Sequence, residues 1–397
     1  MPLNYLKLVP MISFAKKRCA LILFSFISIC SQSQHFSVLT CSQGDEIYST
    51  FGHSAIRYQD SSQGIDWVYN YGLFEFSDPN FIPKFCMGKL DYMVGKESFQ
   101  DFMAQYVYQR RTVKEQTLSL SDSQRNKLLQ FLEWNILPEN KYYRYDFLFN
   151  NCATKIIEIL EKNCPDIHIR YLAQKESERL SFRNLIHRAA SHTVPWIDWG
   201  MDLALGSSTD RKATDKEYCF LPEFVHASIH LSQNKTKRLI SNEKILYQGD
   251  DRKTTSSFYE TPTFMAILIL CIALIYAWRP STWSRIVMGM VFVGMGIGGF
   301  VIGFEWFFTE HTVTKMNWNI GWLNPLALCY GISLILKKDI PWLEKTIQYI
   351  LIFSFFIKWI SGQEFHIASL ILFVSALVFS SVKINLKGTQ LKTFVKK

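Results

Sequence analysis

"YDFLFNNCATKIIEIL", residues 145–160, sets a cysteine directly after two asparagines and at the head of an apolar run. Ala153, Ile156, Ile157 and Leu160 fall at the i, i+3, i+4, i+7 spacing of one buried helix face. The spacing predicts a helix that begins at Cys152, with Asn151, a favoured N-cap residue, just before it. A thiol in that first turn meets unpaired backbone N–H groups and the positive end of the helix dipole, and both stabilise negative charge. The thiolate is the nucleophile, so the placement suits cysteine hydrolases and acyltransferases, and the same N–H groups can hold an oxyanion.

A nucleophilic cysteine needs a base. His53 lies in "YSTFGHSAIRYQD", an extended run that ends in the turn-like "QDSSQG" and is followed by a second strand-like run, "IDWVYNYG". A hairpin centred between Ser61 and Ser62 sets Asn70 directly opposite His53, on the same face. Asn70 then accepts a hydrogen bond from the imidazole and fixes its tautomer, the third role in a Cys/His/Asn arrangement. A one-residue slip points Asn70 away. Asp66, two pairs off on that face, is the substitute. Beyond the Cys152 backbone, Asn151, Tyr145 and Asp146 are the nearby candidates for the oxyanion donor or for orientation. Between the two motifs the chain reads as a helix ("FQDFMAQYVY"), an extended stretch ("RTVKEQTLSL") and a capped amphipathic helix from Ser121.

The 397 residues do not describe one soluble domain. Lys7, Lys16, Lys17 and Arg18 precede the short apolar core "CALILFSFISIC" and polar "SQSQ", the layout of a secretory signal or, uncleaved, an anchor over residues 1–33. Residues 34–262 read as an ordinary globular region. Residues 263–382 hold five apolar segments, roughly 263–278, 286–308, 318–336, 345–360 and 366–382, and residues 383–397 form a basic tail. Arg279, Arg285, Lys337, Lys338, Lys345 and the tail lysines occupy one set of ends, whereas the gaps "TEHTVTKMN" and "SGQEF" hold only Lys315. The positive-inside rule therefore assigns the tail to the cytoplasm and residues 34–262 to the far side of the membrane. Much of the +9 net charge is topological, and no nucleic-acid partner is read from it. The exported region has an odd set of cysteines (Cys41, Cys86, Cys152, Cys164 and Cys219), so one stays unpaired unless it pairs between chains, and no spacing suggests a metal or another cofactor.

With His53 preceding Cys152, the order resembles the circularly permuted branch of the papain-like superfamily, the NlpC/P60 type. "FGHSAIRY", "VYNYGLFEF", "NFIPKFCMGKLDY", "PENKYYRYDFLFNNCAT", "FRNLIH", "PWIDWGMDLALG" and "NWNIGWLNPL" together resemble the Lnb family. The resemblance implies an α+β exported domain of permuted papain-like fold followed by an all-α bundle of five transmembrane helices, in the bacterial inner membrane with the catalytic domain in the periplasm. It implies a lipoprotein N-acyltransferase. An acyl chain passes from a membrane phospholipid, through a thioester on Cys152 with His53 as base, to the α-amine of the diacylglyceryl-cysteine of lipoproteins. An apolar route from the bilayer to Cys152 is then required, and Phe81, Phe85, Met87, Trp196 and Trp199 are candidates for its walls. Glu310 and His311, at the outer end of the second span, are further substrate-binding candidates. Two other readings stay open: a membrane-anchored papain-like cysteine amidase or peptidase acting on the cell wall, and a non-enzymatic membrane receptor or assembly factor.

Overall fold

Short runs of β-branched and aromatic residues, separated by Gly- and Ser-containing turns, fill much of the chain up to residue 118, and they form strands. The computed structural model describes residues 34–75, 79–250 and 256–394, so the expected signal segment lies outside the described residues. The N-terminal region runs β1 (Gln34–Cys41), β2 (His53–Asp60), β3 (Ile65–Leu73), α1 (Phe81–Cys86), β4 (Asp91–Ser98), α2 (Phe99–Tyr108), β5 (Val113–Leu118), α3 (Asp122–Asn135), β6 (Tyr142–Arg144) and α4 (Cys152–Asn163). It continues with β7 (Ile167–His168), α5 (Phe182–Ala190), α6 (Pro195–Ala204), α7 (Pro222–Leu231), β8 (Gln233–Asn234), β9 (Lys237–Arg238) and β10 (Ile240–Tyr247). Seven strands make one antiparallel sheet in the order β10-β5-β1-β2-β3-β4-β6.

α4 lies against this sheet. Its Ala153, Ile156, Ile157 and Leu160 are all buried, in one core with Ile56, Tyr58, Tyr69 and Tyr71 of the central strands. Ile156, Ile157 and Leu160 each contribute about 1.5–3 kcal/mol of transfer free energy. α3 begins at Ser121 with a reciprocal Ser121/Gln124 capping box, as the sequence indicates.

The β2–β3 hairpin corrects one expectation. Asp60 pairs with Ile65 and Ile56 with Tyr69, so the loop is the four residues 61–64 and its centre lies one residue later than the sequence reading placed it. Asp60 Oδ1 accepts the Ser62 amide (3.0 Å) and hydroxyl (2.6 Å), and Gly64 supplies the left-handed φ of 67° that closes the turn. The register is thereby shifted by two, and a shift of two keeps every side chain on its face. Among the described residues no further β2–β3 pair forms beyond Ile56 and Tyr69.

The C-terminal region is helical: α8 (Pro262–Trp278), α9 (Thr282–Phe308), α10 (Leu326–Ile335), α11 (Pro341–Ser361) and α12 (Ile367–Phe394). Among the described residues α9 alone is long and apolar enough by itself to cross a membrane. α9 and α10 pack closely, since a Cβ on Gly296 or Gly331 would stand 2.3 Å or 2.5 Å from the partner helix's backbone. The third expected segment, 318–336, is not one helix. Pro325 brings no N–H to continue one, and Asn317 donates to Leu203 O (2.7 Å) and Ala204 O (3.0 Å) while Gln363 accepts from Trp318 N (2.8 Å), so α10 starts only at Leu326. The expected tail at residue 383 is also helical backbone, as α12 continues to Phe394.

Both gaps that lack arginine, and hold at most one lysine, dock on the N-terminal region. In the first, Gly206 N donates to Val313 O (2.8 Å), Ser207 N to Met316 O (3.1 Å) and Thr312 Oγ1 to Asp146 Oδ2 (2.7 Å). A side chain on Gly206 would overlap the Lys315 carbonyl, with a Cβ at 1.7 Å. Lys315 itself caps the end of α9, donating to Glu305 O, Trp306 O and Thr309 O. In the second gap, His366 N donates to Asp202 Oδ1 (3.0 Å) and Glu364 N to Asp210 Oδ1 (3.3 Å). Arg183, buried behind them, bonds Asp202 and Asp210 and the carbonyls of Asp202, Leu205 and Gly206.

Candidate active site

Where β2 and β3 part, the N-terminus of α4 enters. Gly72 has a left-handed φ of 92°, which favours glycine, and it lies against Cys152, whose Cβ would be in ordinary contact at 3.4 Å with a Cβ placed there. Asn151 caps α4 as expected: its Oδ1 accepts Ala153 N and Thr154 N, both at 2.9 Å. Its amide hydrogens go to Phe147 O and Phe220 O, each at 2.8 Å. With both donors engaged, Asn151 positions the helix and is no oxyanion donor. The backbone amides of Ser54 and Ala153 face the Cys152 sulfur, and the Ala153 amide is shared with Asn151 Oδ1.

His53 hydrogen-bonds Cys152. On the other side its Nε2 stands 2.7 Å from Asn70 Oδ1. The orientation of that amide follows from the next bond out, in which Asn70 Nδ2 donates to Glu97 Oε1 at 2.8 Å. A carboxylate only accepts, so Nδ2 faces Glu97 and Oδ1 faces the imidazole. His53 Nε2 must then carry hydrogen, which leaves Nδ1 to exchange a proton with the thiol. Asn70 reaches His53 although it is not directly opposite, because the two-residue shift preserved the face.

Burial alone would raise the Cys152 pKa. The charge of the His53 imidazolium, its hydrogen bond and the two backbone amides outweigh that and hold the thiol below the usual cysteine range. Burial likewise works to lower His53, but the Cys152 charge and the bonds to Cys152 and Asn70 raise it. Both shifts move the pair toward thiolate and imidazolium. Cys41, across β1 from His53, is different: burial pushes its thiol up to about 12, and it stays protonated. The His53 ring stacks on Tyr106 (centroids 6.4 Å apart), over which the Arg111 guanidinium lies at 4.7 Å. Tyr145, half-buried beside Cys152, has its pKa pushed well up by desolvation and by the sulfur's charge, so its hydroxyl remains a donor.

The remaining candidates fall elsewhere. Asp66 is no substitute for Asn70, because its carboxylate forks onto Arg57 (2.7 and 2.6 Å) at the far end of the hairpin. Asp146 Oδ1 accepts Leu148 N and Phe149 N and shapes the loop before Cys152. Trp196 donates to Glu260 O (2.6 Å) and Trp199 to Ser369 Oγ (2.9 Å), so both brace α6 against the C-terminal helices. Glu310 pairs with Lys89 (3.6 Å) and Arg144 (3.8 Å), and His311 Nε2 bonds Phe85 O (3.1 Å), which places both at α1. Glu97 is a site residue that the sequence reading misses. Nothing near it in the sequence signals the role, which depends on β4 pairing with β3.

A second constellation is also absent from the sequence reading. His187, Asp198 and His366 bring their polar atoms within 4.8 Å of one another, a spacing that could hold a cation. The donor set fits one poorly. His366 Nδ1 accepts Ala368 N (3.1 Å), so its Nε2 carries the ring hydrogen and turns no lone pair toward Asp198. His187 Nδ1, 2.7 Å from the buried Asp198 carboxylate, donates to it, and the cluster reads as a polar junction between α5, α6 and the start of α12.

Comparison with known proteins adds the family. Residues 28–188 match the Lnb N-terminal periplasmic domain, and residues 253–390 match the Lnb transmembrane domain. No curated protein and no solved structure matches the chain. The two domains occur in the order the sequence motifs imply and take in most of the chain, which belongs to the Lnb family of membrane proteins with a periplasmic domain.

Proposed function

We propose that this protein is a lipoprotein N-acyltransferase of the bacterial inner membrane, with Cys152 as nucleophile, His53 as general base and acid, and Asn70 orienting the imidazole. The observation that carries the reading is the bonded series Cys152–His53–Asn70–Glu97 at a helix N-terminus, in a chain that joins an Lnb periplasmic domain to an Lnb transmembrane domain. In this reading the N-terminal region is a permuted papain-like domain over residues 34–262. The five C-terminal helices cross the bilayer and the C-terminus is cytoplasmic. Support for that topology comes from the docking of the gaps at 309–317 and 361–366 on the N-terminal region.

The Cys152 thiolate attacks an ester carbonyl of a membrane phospholipid. The C–S bond forms, the C–O bond breaks, and the lysophospholipid leaves with the proton of His53 Nδ1. The α-amine of a diacylated lipoprotein then attacks the thioester; the C–N bond forms, the C–S bond breaks and His53 takes the amine proton. In this reading the Ser54 amide and the Cys152 backbone amide bear the oxyanion in both steps. Both substrates share the enzyme's bilayer, which raises their effective concentration.

Mass spectrometry of lipoprotein N-termini from cells with and without the gene tests the reaction. Loss of N-acylation on deletion, restored by wild type and not by Cys152→Ser, is the expected result. Unchanged N-termini in the deletion strain overturn it. A peptide adduct on Cys152 in place of a hydroxylamine-labile acyl group would make the protein an amidase.

A further inference from the structure

The short helix α1 buries none of its side chains: Ile82 is 70% and Phe85 51% exposed. Its carbonyl end is held by the segment that follows α9, where Glu310 N donates to Met87 O (2.8 Å), His311 bonds Phe85 O, and Gly88 packs on the His311 backbone. α9 is the helix able to span a bilayer, and the side chains at this end, Phe304, Phe307 and Phe308, are themselves exposed. The apolar surface of α1 therefore continues the lipid-facing surface of α9.

From α1 the rings lead inward. Phe85 meets Phe81 (6.2 Å between centroids), Phe81 meets Phe74 (5.5 Å), Phe74 meets Tyr92 (5.3 Å) and Tyr92 stacks on Tyr145 (4.1 Å). Tyr145 directly precedes the tight loop closed by Asp146 and Asn150, which returns the chain to Asn151 and Cys152. Such an aromatic series presents ring faces to an alkyl chain, and its hydroxyls come only at the inner end, on Tyr92 and Tyr145.

We infer that α1 and this aromatic series bind the acyl chain of the donor phospholipid, with its methyl end toward the bilayer at Ile82 and Phe85 and its ester carbonyl at Cys152. The inference rests on the acyltransferase reading and names the path by which its lipid substrate arrives. An alkyl chain crossing from bilayer to sulfur must otherwise pass through water, and the rings remove that barrier. Glu310 and His311 act here as positioning residues, since they hold the lip in line with α9.

The test uses full-length Cys152→Ala protein in phosphatidylethanolamine vesicles carrying a phospholipid with a diazirine in mid-chain, so that occupancy is read without turnover. After irradiation, adducts are expected on peptides within residues 79–92 and at Tyr145. The double variant Ile82→Glu/Phe85→Glu, altered only at exposed positions, should reduce that yield about ten-fold or more, the weight of one buried aromatic side chain. Adducts confined to residues 262–394, or an undiminished yield in the double variant, overturn the inference. Addition of a diacylated lipopeptide separates the two lipid sources: an undiminished yield supports the donor, and displacement of the label reassigns the path to the acceptor and overturns the inference. Thioester formation on the wild-type protein is measured alongside by intact mass. Its absence together with the expected adducts would sink the reaction and leave the lipid path standing.

Discussion

Glu97 touches neither sulfur nor imidazole, yet it decides which end of the Asn70 amide faces His53, and inverting its hydrogen-bonding character should therefore invert the amide. In Glu97→Lys a donor replaces the acceptor. Asn70 would turn its Oδ1 to the introduced ammonium group and its N–H groups to His53 Nε2, where the imidazolium's own hydrogen lies. A hydrogen bond to a charged group is worth about 1.5–3 kcal/mol. The working orientation changes from favoured to disfavoured by that amount, a factor of about 10–150 in population and hence in the rate of Cys152 acylation. Glu97→Gln presents donor and acceptor alike, so it no longer opposes or enforces the orientation that the imidazolium hydrogen prefers, and should lower the rate about two-fold at most. Asn70→Asp in the Glu97→Lys background accepts from His53 whichever way it turns, and should restore most of the loss. The assay is thioester formation by intact mass. It is paired with iodoacetamide alkylation of Cys152 against pH, which reads the thiolate whatever the substrate. Because the Cys152 pKa is lowered in the fold, alkylation should appear at lower pH than for an ordinary thiol and be lost as pH falls through that depressed value. Glu97→Lys destabilises the imidazolium and should move the profile up. A Glu97→Lys protein within about three-fold of wild type, Glu97→Gln equally damaged, or no rescue by the added Asn70→Asp change would refute the orientation argument.

Other expectations follow from the same geometry. Asn151→Ala removes the cap of α4 and leaves Phe147 O and Phe220 O without their donor, so stability measured by denaturant should fall by at least about 0.5–2 kcal/mol. Arg183→Met strands Asp202 and Asp210 in a buried site and should destabilise the protein by about 3–5 kcal/mol in thermal unfolding. The bond to Asp198 raises the His187 pKa, so its contribution is fully present below the unfolded value and is lost as pH rises through the folded one. Hydrogen exchange at the start of α12 should accordingly increase with alkalinity in wild type beyond the intrinsic rate, and His187→Gln should abolish that added dependence.

Much of the site is legible in the sequence because local patterns carry it. The helix at Cys152 can be read from four apolar residues and a cap. The His53–Asn70 partnership survives a misjudged turn only because strand side chains repeat every two residues, so an error of two is harmless where an error of one would be fatal. Glu97 is illegible for the opposite reason: its role depends on which strand lies beside β3, and the connection before β4 has no local signal for register. The broken third apolar segment is hidden similarly, since the partners of Asn317 and Gln363 belong to distant parts of the chain. Asp66, Trp196 and Trp199 are plausible by residue type alone, and each serves a bond that only the tertiary structure supplies.

The loops at both outer gaps grip the N-terminal region, so the sulfur cannot swing freely on a flexible stalk. On the proposed topology it is kept at one height over the lipid surface, and height becomes a criterion of selection. An amine tethered one residue from its own lipid anchor presents itself at a constant level, whereas lysine amines farther along a secreted chain roam at every level and seldom dwell at the right one. On the proposed reading, the enzyme thus tells an N-terminal cysteine from other amines by a gauge built into its stance, with no need to read the sequence that follows.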